Sequence, residues 1–110
     1  MIENTVKKIE ASIRKIGSIN HSKKEELIRL LTTLKSEVQE LARTHGERAQ
    51  SIAGFTEVAS HEATRKEKES DLRDLSLEGL SSSVKGFETS HPELVKTVND
   101  LCNLLAGIGI

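Results

Sequence analysis

Leu27, Leu31, Leu34, Val38 and Leu41 recur at steps of four and three, and Leu94, Val98, Leu101, Leu105 and Ile108 repeat those steps near the end of the chain. An α-helix turns by about 100° per residue, so this spacing puts each set on one narrow face. A third set, Ile2, Val6, Ile9, Ile13 and Ile16, has the same rhythm. Each such side chain is worth roughly 1.5–3 kcal/mol when buried, so the three stripes commit the chain to packing helix on helix. One proline in 110 residues, with 30% of them charged, fits long helices better than a sandwich full of turns. Leu, Ile, Val and Phe number 30 of the 110, enough for a core. That core must be aliphatic, because Phe55 and Phe87 are the only aromatics.

Local signals set the expected boundaries. A first helix spans 4–16, with Asn4 as N-cap and Gly17 just past its end. A long second helix starts at Ser22, where Ser22 and Glu25 form a capping box, and runs to about Arg43. Only Gly-Ser-Ile-Asn-His separates the two, so they fold back as a hairpin. The segment 46–70 keeps Ala49, Ile52, Ala53, Ala59 and Ala63 at helical spacing, but Gly46 and Gly54 each cost about 1 kcal/mol relative to Ala. It reads as partly helical, either continuing the second helix or docked through small residues, with a loop as the competing reading.

A further helix starts at Ser70 or Ser76 and runs to Glu88. Leu77, Leu80, Val84 and Phe87 share one face, beside Ser76, Gly79 and Ser83, which would admit a close neighbour. The step from Leu75 to Leu77 turns the face by about 200°, which implies a break or an unusually broad stripe there. The last helix begins with the capping residue Ser90 and its partner Glu93, takes Pro92 in its first turn, and ends at Gly107. The tail after it should pack as a plug. The expected architecture is therefore all-α: residues 1–110 form one domain, with a hairpin over 1–45, a connecting segment over 46–70 and a second hairpin over 71–110. Strict four-three seams on three of the helices favour a bundle completed by a second chain.

The remaining chemistry is sparse. Net charge is −1, and the segments 1–46, 47–75 and 76–110 carry +3, −2 and −2. No basic stripe of the kind nucleic acid requires stands out. The N-terminus lacks the apolar run of a signal peptide, and no run spans a bilayer, so a cytoplasmic protein is expected. His61-Glu62-Ala63-Thr64-Arg65 opens like a zinc-protease motif, but Arg65 stands where the second ligand must be. On one straight helix His45 and His61 would face opposite ways, and His21 and His91 read as solvated or capping groups. Cys102 lies on an apolar face as an inert thiol. There is no glycine-rich phosphate cradle. Ser81, Ser82 and Ser83 have no base near them in sequence. No catalytic, cofactor-binding or metal-ligating residue is assigned, no cofactor is expected, and an enzyme is the least favoured class.

The stretches ERAQSIAGFTEVASHEATR, LSLEGLSSSVKGFETSHPELVKTVNDLCNLL and the closing AGIGI resemble small bacterial proteins grouped as domain-of-unknown-function family 4404. The most specific pieces are FETSHPEL and the Gly-Ile ending. The resemblance implies a bacterial helical protein of about this length and supplies no functional residues. It also implies shorter relatives in which the link between hairpins is brief, so that 46–70 is where a partner-specific surface is expected. The functional expectation is a structural or protein–protein interaction module that forms a homo-oligomer, a dimer first. The alternative is a peripheral binder of anionic membrane or nucleic acid through Lys7, Lys8, Arg14, Lys15, Lys23 and Lys24. An enzyme whose site forms between chains comes third.

Overall fold

The computed structural model describes residues 4, 7, 8, 10, 11 and 20–108. Four helices follow one another: α1 (His21–Ala42), α2 (Gly46–Thr64), α3 (Ser70–Ser83) and α4 (Pro92–Ile108). Asn4, Lys7, Lys8, Glu10 and Ala11 are also helical. The rest of the expected first helix, with its isoleucine stripe, its cap at Gly17 and the hairpin turn after it, lies outside the described residues. So does the end of the expected tail plug, although Ile108 does pack against the core.

Neighbours in sequence are neighbours in space. α2 packs most extensively on α3, α1 packs on α4 and on α2, and α4 closes against α3 and α2. Short links turn the chain back each time, giving an up-down-up-down bundle. The two strongest stripes meet inside it. Leu27, Leu31, Leu34, Val38 and Leu41 from α1 are buried together with Leu94, Val98, Leu101 and Leu105 from α4. These two seams thus meet each other within one chain.

α1 stops at Ala42, where Arg43 caps it and its amide reaches Glu40 O and Leu41 O. The second helix therefore does not run on past Gly46. Residues 46–64 form a helix of their own, burying Ala49, Ile52, Ala59 and Ala63. Its small residues let α3 come close. On α3, Ser76 and Ser83 are buried, and the Phe55 ring sits where a Cβ on Gly79 would be.

Several boundaries differ from the sequence expectation, each for a local reason. α1 starts one residue before Ser22, because Asn20 takes the cap and its side chain accepts from the Lys23 amide at 2.8 Å. α4 starts at Pro92, and Val95 N donates to His91 O at 3.2 Å, so the cap position falls on His91 rather than Ser90. It also carries on through Gly107 to Ile108. α3 runs unbroken past Leu75, which simply faces outward. It ends at Ser83, short of Glu88. Gly86, at φ +96°, then reverses the chain in a conformation open to glycine. Its amide donates to Glu88 Oε2 at 2.7 Å, and the turn drops Phe87 back into the core.

Candidate functional site

Two surfaces stand out from this frame. The first is the end of the bundle where the α1–α2 turn meets the α3–α4 link. Sequence places His45 and Phe87 far apart, yet their rings meet edge to face at 5.3 Å between centroids. His91 meets Phe87 at 5.4 Å and His45 at 6.3 Å, also edge to face. Such geometry is favoured because ring edges are positive and ring faces negative. Each imidazole is held by the hydroxyl before it in the chain: Thr44 Oγ1 lies 2.8 Å from His45 Nδ1, and Ser90 Oγ lies 2.9 Å from His91 Nδ1.

Arg48, in the first turn of α2, completes the cluster. Its guanidinium stands 5.1 Å from the Phe87 ring centroid. The same group donates to Ser83 O at 3.3 Å and Lys85 O at 3.0 Å, carbonyls that the end of α3 leaves without helical partners. One side chain thus ties the start of α2 to the end of α3. An open cleft of about 490 Å³ lies alongside, lined by Thr44, His45, Glu47, Arg48, Ser51 and Phe87. The pairing of His45 with His91 was not legible in the sequence, since it depends on how the two links stack. Its chemistry is that of two imidazoles beside a guanidinium already engaged with carbonyls. Among the described residues no three His, Cys, Asp or Glu side chains are grouped to hold a metal ion.

The sequence-flagged motif on α2 resolves differently. Glu62 is buried, and Arg65 donates to its Oε1 at 2.9 Å, while His61 Nε2 lies 3.9 Å from the other oxygen. The residue that breaks the zinc motif is the one that pairs with its carboxylate. The hydrogen bond it donates to Glu62 is the main reason the Arg65 guanidinium is held above its ordinary range. Cys102 is half-buried, with its Sγ 3.9 Å from Leu77 O, and burial pushes its thiol up. His21 lies exposed at the start of α1. Ser81 and Ser82 stand at the end of α3, and Ser83 Oγ donates to Leu80 O at 2.6 Å.

The second surface is apolar. Among the described residues the large hydrophobic side chains left exposed are Phe55 (40%), Val58 (49%), Leu72 (47%) and Leu75 (65%). All four belong to α2 and α3, and the Phe55 ring lies against Gly79 of α3. Scattered surface apolars are ordinary, whereas these four are gathered on one helix pair.

No helix among the described residues is long and apolar enough to cross a membrane. No curated protein and no solved structure matches the chain. One family model does match, over residues 27–110, a span that holds most of α1 and all of α2, α3 and α4. The chain belongs to the family described as domain of unknown function DUF4404.

Proposed function

We propose that this protein is a helical protein–protein interaction module that works as a homo-oligomer, a dimer in the first instance. The observation that carries the reading is the gathering of Phe55, Val58, Leu72 and Leu75 on one exposed face of α2 and α3, while the stripes of α1 and α4 are spent on the internal core. Leaving that face in water forfeits burial worth roughly 1.5–3 kcal/mol for each large side chain fully covered. With the stripes of α1 and α4 covered inside the chain, the exposed face of α2 and α3 is the surface a second copy would cover.

Solution mass by light scattering tests this directly. Concentration should be taken from refractive index, because the chain has neither Trp nor Tyr. A mass of two chains, falling to one on dilution, is expected. A mass of one chain up to about 1 mM, the weakest range in which a specific interface operates, would refute it.

A further inference from the structure

The exposed side of α2 carries a pattern that its buried side hides. Glu47, Ser51, Gly54, Val58, His61 and Arg65 step by four, three, four, three and four. At about 100° per residue they fall within an arc of about 80°, a single seam along the helix. All but Arg65 are exposed, and Arg65 is half-exposed just past the last turn. Phe55 borders this seam on the side where its ring lies against Gly79 of α3, a helix that also exposes Leu72 and Leu75.

The seam is complementary to itself when reversed. Laid antiparallel on a copy, with the two-fold axis beside residue 56, it sets Glu47 against Arg65, Ser51 against His61 and Gly54 against Val58. Each pairing occurs twice, as a two-fold interface demands. At the ends Glu47 meets an Arg65 guanidinium that keeps its hydrogen bond to Glu62, the flanks match hydroxyl with imidazole, and the middle matches the smallest residue with an apolar one. The same axis brings Phe55, Leu72 and Leu75 of both chains to one side.

Gly54 supports this independently. It sits in mid-helix without a positive φ, where glycine costs about 1 kcal/mol relative to Ala. A Cβ added there would meet nothing within 4 Å, so no contact among the described residues calls for glycine. The bare backbone at that point would admit a second helix closely. Resting on the homo-oligomer reading above, we infer that two copies pair through α2, antiparallel and centred between Gly54 and Val58, with Phe55, Leu72 and Leu75 closing the flank.

The test uses the full chain. Val58→Glu and, separately, Leu75→Glu place a charge on side chains already exposed in one chain, so helicity by circular dichroism should not change. Each should weaken the dimer by about 100-fold or more, since two buried carboxylates replace two apolar contacts. A dimer unaffected by both substitutions would overturn this surface while leaving self-association standing, whereas a wild-type monomer would remove both.

Register is read by cross-linking in a Cys102→Ser background. A chain with Gly54→Cys mixed with a chain with Val58→Cys should give mainly disulfides between 54 and 58. Predominant 54–54 and 58–58 links would mean a parallel pairing and would refute the proposal.

Discussion

Gly79 is where the packing of α2 on α3 can be weighed against helix propensity with the sign in play. Replacing it with Ala should add about 1 kcal/mol of helix stability, the ordinary gain for a helical glycine. A Cβ at that position, however, would stand 2.5 Å from Phe55 Cδ1 and 3.0 Å from its Cζ. Real carbons do not approach so closely, so the ring must leave its seat. Phe55 is only 40% exposed there. Full burial of such a side chain is worth about 1.5–3 kcal/mol, so displacing the ring forfeits about 1–2 kcal/mol. Gly79→Ala should therefore be neutral to about 1 kcal/mol destabilising. In a Phe55→Ala background nothing stands in the way, and the same substitution should stabilise by about 1 kcal/mol. Thermal unfolding followed at 222 nm reads the difference, because 1 kcal/mol shifts the midpoint by about 4 °C in a domain this size. The coupling between the two sites should come to about 1–2 kcal/mol, a typical value for touching residues. Equal stabilisation by Gly79→Ala in both backgrounds would mean that Phe55 is not seated on Gly79, and that the close approach of α2 to α3 has another origin. All four chains should be compared at one concentration, since Phe55 also borders the proposed dimer seam.

Two further substitutions separate the cap the structure shows from the one the sequence advertises. Asn20→Ala removes the acceptor for the Lys23 amide and should cost about 1 kcal/mol, whereas Ser22→Ala, already inside the helix, should change the unfolding midpoint little. Arg48→Ala should lower stability by about 1 kcal/mol, measured in the same way, because water replaces the charged donor to Ser83 O and Lys85 O and the contact with the Phe87 ring is lost. For Cys102, burial raises the thiol above its ordinary range near 8.5, so alkylation by iodoacetamide should reach half its limiting rate at higher pH in the folded chain than in urea. The sign for stability follows: a thiol held up by burial contributes nothing unfavourable below the unfolded pKa, and folding weakens as pH climbs from there toward the folded value. Cys102→Ser should flatten that alkaline loss.

The helices with wide aliphatic stripes were legible because periodicity and burial point the same way. α1 and α4 each bury a continuous face of leucine and valine, and a stripe of that kind has one energetically acceptable orientation. The middle of the chain was harder because its buried side chains are small. Ala49, Ala59 and Ala63 gain little from burial individually, so propensity alone could not say whether the segment was helix or loop. What settles it is close contact with Ser76, Gly79 and Ser83 across α3, a property of two segments together. The end cluster was invisible for the same reason. His45 and His91 look like separate solvated groups until Phe87 is dropped between them by Gly86, and only then does Arg48 find both an aromatic face and two bare carbonyls. The outward seam of α2 was hidden differently. Its members are mostly polar, and a search for apolar periodicity passes over Glu47, Ser51, His61 and Arg65 as an ordinary wet face. They become meaningful only when the structure shows that the helix has already spent its other side, and that a glycine on the wet side meets no described neighbour.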